Sequence, residues 1–173
     1  PSEWPRYRAI DFGFTNPFVC QWWAEDPDGR LYRYRELYGT QRLVRDWAHE
    51  IYELSEGERV QATVTDHDIE GRSNLERHMT HPAAHCPELK YAQPDDTRYD
   101  RFTMTRGAIK DVEEGIEAVA IRLRAAADGK PRLFLVRGAL VRPDPVLVDR
   151  KHPTCTEEEI EAYTWDKAQS KKY

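Results

Sequence analysis

Between residues 6 and 38 the chain alternates apolar and polar positions in three runs, the period-two pattern of strands that bury one face. The runs are Arg6–Gly13, which gathers Ala9, Ile10 and Phe12, then Phe18–Ala24, then Leu31–Tyr38. Between the last two lies Asp26-Pro-Asp-Gly29, a turn sequence that predicts a hairpin. The period then lengthens. From Thr40, a predicted N-cap, apolar residues fall at Leu43, Val44, Trp47, Ile51 and Leu54, the stripe of a helix that Gly57 ends. Val60–Thr65 is β-branched and alternating, a fourth predicted strand running into Asp66, and Asn74–Met79 belongs to a short helix.

Thr80–Tyr99 holds three prolines and two histidines, which predicts an irregular loop around a short strand near Leu89–Ala92. Thr105 is then placed to cap the strongest helix in the chain. Its apolar stripe runs through Ile109, Val112, Ile116, Val119, Ala120 and Leu123 to a stop at Asp128-Gly129. Arg132–Val136 reads as a late strand, and Arg142–Thr154 as a polar, proline-rich linker. Thr156-Glu-Glu-Glu159 is a capping-box pattern opening a short helix through Tyr163. Three strands, then helices alternating with strands, predict an α/β fold with a mixed sheet that starts with three antiparallel strands.

Composition narrows the picture. The 173 residues fit a single domain, 1–173, with residues 1–5 as an N-terminal tail, and no internal repeat divides them. The apolar runs Leu133–Val136 and Ala118–Ile121 are among the longest, too short for a membrane span or a secretory signal. Lys plus Arg number 26 against 31 Asp plus Glu, a net charge of -5, so there is no global basic field of a general nucleic-acid binder. A metal-dependent nuclease needs only acids at its centre and a local basic rim. Three cysteines, Cys20, Cys86 and Cys155, make no disulfide framework and point to a reducing cytosol.

The candidate chemistry is carboxylate chemistry. Asp11 ends the first predicted strand, and Gly13 behind it lets the chain turn sharply, leaving the carboxylate at a strand terminus, where α/β sites are built. Asp66 takes the matching place after the fourth strand, in Thr65-Asp-His-Asp68. If the two strands are sheet neighbours, both carboxylates face one pocket. Oxygen ligands of this kind suit a pair of Mg²⁺ or Mn²⁺ ions that activate water against a phosphodiester. Aspartates also end strands and cap turns without any such role, and the pair alone leaves both readings open.

Longer stretches carry a resemblance. Ile10-Asp-Phe-Gly13 followed by the hairpin strand Val19–Trp23, Asp66 running into Glu70-Gly-Arg-Ser-Asn-Leu-Glu76, and Ile109-Lys-Asp-Val-Glu-Glu-Gly-Ile116 with the closing Glu161-Ala-Tyr-Thr-Trp165 together resemble the nuclease domain of the large terminase subunit of tailed phages. The match runs from about Arg6 to Lys167. It implies an RNase H-like fold with helices on both faces of the sheet. It implies a two-metal endonuclease that cuts concatemeric double-stranded viral DNA during packaging, leaving a 3′-hydroxyl and a 5′-phosphate. Asp11 would be the ligand shared by both ions and Asp66 a second. The family's third carboxylate lies on a C-terminal helix after the Tyr-x-Trp segment. That motif is absent up to Tyr173, so the third ligand is expected beyond it, with Asp68 as a reserve and Asp166 as a weaker candidate. Implied partners are the terminase ATPase domain, the small terminase subunit and the portal, in the host cytoplasm. No Gly-x-x-x-x-Gly-Lys-Ser/Thr loop occurs, so the motor is not in this sequence.

Other readings compete for the same residues. Asp11-Phe-Gly-Phe-Thr15 also resembles the first phosphate loop of actin-like and sugar-kinase ATPases, which need a second such half. Asp11-Phe-Gly13 alone matches the kinase metal motif without its companions. His78, His81, His85 and Cys86 offer zinc-binding side chains at a spacing that fits no strong finger or ribbon pattern. Trp22, Trp23, Trp47 and Trp165 could stack on bases, but Trp47 and one of the Trp22–Trp23 pair are expected in the core. Arg72, Arg77, Arg106 and Lys110, with Arg98 and Arg101, are candidates for phosphate contacts. A non-cleaving RNase H-like module that binds DNA or docks on the portal is the alternative function.

Overall fold

The computed structural model describes residues 1, 3–80, 105–109 and 111–162. The three alternating runs become β1 (Arg6–Asp11), β2 (Phe18–Glu25) and β3 (Leu31–Gly39), paired antiparallel in succession. The β2–β3 hairpin turns at the expected Asp26–Gly29, where Gly29 has φ 75° and the Asp26 carboxylate accepts from the amides of Asp28 and Arg30 at 3.0 and 2.8 Å. The fourth strand, β4 (Val60–Thr65), lies parallel beside β1, with Ile10 opposite Thr65. Short strands β5 (Arg106–Gly107) and β6 (Leu133–Leu135) extend the two edges, giving the order β5-β4-β1-β2-β3-β6. This is the mixed α/β sheet with an antiparallel start that the pattern predicts.

One face of the sheet carries the main core. Ile10, Phe18, Cys20, Trp22 and Leu37 point at α1 (Val44–Leu54) and α2 (Ile69–Thr80), whose Trp47, Ala48, Ile51, Leu75 and Met79 meet them. Phe18 and Trp47 stack with ring centroids 4.8 Å apart, fixing α1 on β2. Burying each such large side chain contributes roughly 1.5–3 kcal/mol. Beneath α1, Ser55 Oγ accepts from Arg8 at 2.9 Å and from the Trp22 indole at 3.0 Å, so these buried donors are satisfied. Trp22 is buried and Trp23 half-buried, as alternation requires.

The opposite face is polar and is crossed by α5 (Thr156–Ala162), so helices lie on both faces. A bulge in β3 sets this face. Trp22 pairs with Arg35 and Trp23 with Arg33, leaving Tyr34 without a register partner, and the extra residue turns Arg33 and Glu36 to the same side. They form an ion pair at 2.8 Å with both side chains fully buried.

Several sequence expectations are corrected. Thr40 does not cap α1: the N-cap position is Leu43, without a side-chain bond, and Thr40 bonds the Asp144 carboxylate through its amide and hydroxyl. Thr105 does not cap the long helix. The residues after it pair with β4 as β5, and the helix, α3 (Val112–Leu123), begins later with Asp111 as N-cap, accepting from the Glu114 amide at 3.0 Å. No residue of α3 is buried, and Ile116 and Val119 of its apolar stripe are 46% and 49% exposed. Helical period identifies one apolar side but not what meets it: α3 lies against the edge strand β6, and its stripe shares an apolar groove with Ile160 of α5. The predicted linker Arg142–Thr154 contains α4 (Pro145–Arg150), started by Asp144 as N-cap with Pro145 in the first turn. Asn74–Met79 does lie within a helix, α2, which starts at Ile69. The strand expected near Leu89–Ala92 lies outside the described residues. No helix among the described residues is long and apolar enough to cross a membrane.

Candidate active site

Asp11 is the last residue of β1, and Asp66 follows the last residue of the adjacent parallel strand β4, with the Asp66 amide bonded to Ile10 O at 3.3 Å. The neighbouring-strand condition is therefore met. A tight turn presents Asp11: a Cβ on Gly13 would lie 2.4 Å from the carbonyl oxygens of Asn16 and Pro17, so only glycine permits it. A similar close approach packs α2 on the residue after Asp11. Gly71 lets α2 press on Phe12, where a Cβ would come within 2.9 Å of the ring.

A third carboxylate joins them. Glu159 of α5 lines the same cavity as Asp11 and Asp66, a space of about 380 Å³ over the C-terminal ends of β1 and β4. Partial burial, and then the charges of Asp66 and Glu159, push the Asp11 carboxyl above its ordinary value. Burial first, and the Glu159 charge second, raise the Tyr38 phenol as well. In sequence, Glu159 reads as part of a local capping box, and the third acid is expected beyond Tyr163-x-Trp165. The one local signal was the acidic run Glu157–Glu159 on the last described helix.

The other candidates take different places. Asp68 is exposed and turned to α2, where its carboxylate accepts from the Glu70 amide at 3.1 Å. Its own amide donates to Asp66 Oδ1 at 2.8 Å. Arg72 braces β5 against α2, donating to Thr105 Oγ1 at 3.1 Å and Thr105 O at 2.9 Å. Arg77 is exposed on α2. Arg106 is exposed and is the register partner of Val64, which puts it on the sheet face of Asp11 and Asp66. His78 lies on α2, whereas Lys110, His81, His85, Cys86, Arg98, Arg101, Trp165 and Asp166 lie outside the described residues.

The donor set of the cavity is oxygen only, which fits hard divalent cations such as Mg²⁺ or Mn²⁺ and not zinc held by imidazole or thiolate. Among the described residues no three acidic, His or Cys side chains stand close enough to form a ready-made cage. The carboxylates surround one space and repel, so a cation entering it would draw them together.

No protein-family model and no curated protein matches the sequence. Solved structures do match in fold. The large terminase from a thermophilic bacteriophage, in complex with ADP, aligns with a TM-score of 0.60 at 16% identity, covering 98% of this chain and 34% of that one. The same phage's large terminase in complex with ATP-gamma-S gives 0.56 at 18% identity, covering 98% and 35%. The P22 large terminase nuclease domain aligns at 0.48 and 16% identity, over 78% and 63%. The chain shares the fold of a phage large terminase and spans about a third of the thermophilic phage protein's length.

Proposed function

We propose that this chain is the nuclease domain of a phage large terminase, a metal-dependent endonuclease that cuts concatemeric double-stranded DNA during genome packaging. The observation that carries this reading is the convergence of Asp11, Asp66 and Glu159 on one cavity at the ends of adjacent parallel strands. The fold shared with the large terminase of the thermophilic phage supports it.

In this reading Asp11, Asp66 and Glu159 would hold divalent Mg²⁺ or Mn²⁺ ions through their carboxylate oxygens. When bound there, divalent ions supply activation of a water and neutralise charge on the leaving oxygen of a phosphodiester. The chain itself does the positioning. Gly13 fixes the Asp11 carboxylate at the strand end, the Asp66 amide is tied to β1, and α5 is docked on the sheet through Thr156. Arg106, on the same face, is the basic side chain best placed to meet a DNA phosphate. Contacts of that kind carry no base readout, so cleavage is expected to show low sequence specificity. The ATPase domain, the small subunit and the portal are the proposed partners, and the host cytoplasm the proposed compartment.

Nicking of supercoiled plasmid tests the reading. Relaxed and linear DNA should form with Mn²⁺ or Mg²⁺ and not with EDTA, from unrelated plasmids alike. Loss of an outer-shell partner of a metal site costs about 10–100-fold. Asp11→Asn, Asp66→Asn and Glu159→Gln, which remove ligands themselves, should each lower the rate by at least about a hundredfold. A folded chain that binds DNA but cuts none would favour the non-cleaving module.

A further inference from the structure

The helix that carries Glu159 offers little buried apolar surface among the described residues. No residue of α5 is buried, and Ile160 is 60% exposed. Its first turn makes a set of polar contacts with the sheet. Thr156 Oγ1 donates to Glu36 Oε1 and accepts from Gln21 Nε2 at 2.7 Å, and the Thr156 amide faces Glu36 Oε2 at 3.3 Å. Gln21 Nε2 also reaches Glu36 Oε1 at 3.2 Å. Arg33 holds the far side, donating to Glu36 at 2.8 Å and to the Glu157 carboxylate.

Sheet register explains what this attachment does. Asp11 pairs with Val19 and Val19 with Tyr38, so Asp11 and Tyr38 lie in one row across β1, β2 and β3. Two residues along each strand, Ala9, Gln21 and Glu36 form the next row on the same face, roughly 6.6 Å away. Thr156 bonds the Gln21–Glu36 row. Glu159, three residues and roughly 4.5 Å further along the helix, meets the Asp11–Tyr38 row. Rotating α5 by one residue would swing Glu159 about 100° away from the cavity.

We infer that Gln21, Glu36 and Thr156 form a latch that sets the rotation and axial position of α5, and are positioning residues for the Glu159 carboxylate. The inference rests on the proposed metal site of Asp11, Asp66 and Glu159. Glu36 is fully buried, so the latch has one fixed anchor on the sheet and one docking point on the helix. The third carboxylate is present at the site only while the first turn of α5 is seated on that anchor.

The test uses the full chain and measures Mn²⁺ binding by calorimetry and hydrogen exchange of the α5 amides. Thr156→Val removes the hydroxyl but keeps the side-chain volume and leaves the Arg33–Glu36 pair intact. It should weaken Mn²⁺ binding about tenfold or more, as Glu159→Gln does, and speed exchange in α5. Thr156→Ser should restore both. The double variant Thr156→Val with Glu159→Gln should bind no more weakly than Glu159→Gln alone, because the latch acts through that carboxylate. Gln21→Met, which removes the bridging amide from the sheet side, should repeat the pattern if Thr156→Val fails to fold. Native binding and exchange in Thr156→Val, or additive losses in the double variant, overturn the latch. If Asp11→Asn loses Mn²⁺ while Thr156→Val does not, the latch falls and the metal site stands. If the native chain binds no Mn²⁺, the metal reading falls and with it the role of the latch in placing a ligand.

Discussion

The Asp11 carboxyl is raised chiefly by partial burial and then by Asp66 and Glu159, and that direction has a consequence for stability. A carboxyl raised on folding gives its full contribution below its unfolded pKa and loses it as pH climbs through the folded value. Asn at position 11 does not titrate. In EDTA, the melting temperature of Asp11→Asn should therefore gain on the native chain as pH rises from 3 to 7. Thermal melts across that range read the sign directly. Ser55 offers a second test. It accepts from both Arg8 and the Trp22 indole in the core, and Ser55→Ala should cost roughly 2–3 kcal/mol in urea unfolding, because a buried donor loses this acceptor.

Helices of similar sequence character play unequal parts. α1 and α3 both show an apolar stripe, yet Trp47, Ala48 and Ile51 of α1 are buried and nothing in α3 is. Ile51→Ala should destabilise by roughly 2–5 kcal/mol, whereas Val119→Ala should stay within about 1 kcal/mol, as measured by chemical denaturation. α4 depends on its cap and its tie to β3: Asp144 accepts from the Val146 amide at 2.8 Å and from Thr40. Asp144→Ala should cost about 1–2 kcal/mol. The bulge at Tyr34 matters more, since it pairs Arg33 with Glu36 on one face. Breaking that buried pair with Glu36→Ala should cost roughly 3–5 kcal/mol.

Across the whole molecule, the proposed site couples ligand to stability. Mn²⁺ at a hundred times its dissociation constant should stabilise the native chain by about 2.7 kcal/mol, and Asp11→Asn should lose that increment in a thermal-shift titration. Local order was legible in the sequence. Alternation marked β1 to β4, the Asp26–Gly29 turn marked the hairpin, and Asp11 and Asp66 stood out because each follows a β-branched or apolar run and precedes a turn. These signals depend on neighbours a few positions apart, which is the range that hydrophobic period and turn chemistry report. The rest depended on distant meetings. Glu36 and Thr156 are 120 positions apart, and no local pattern assigns one to the other. Glu159 read as part of a capping box because its local context fits one; only the docking of α5 on the polar face turns it toward Asp11. The stripe of α3 likewise carries the period of a core helix, but period specifies a face and tertiary packing decides what covers it. The sequence by itself thus determined β1 to β4 and β6, the first strand pairings, and Asp11 and Asp66 as candidates. Tertiary structure decided that Glu159 lines their cavity, because a side chain on α5 reaches it only through contacts across the sheet.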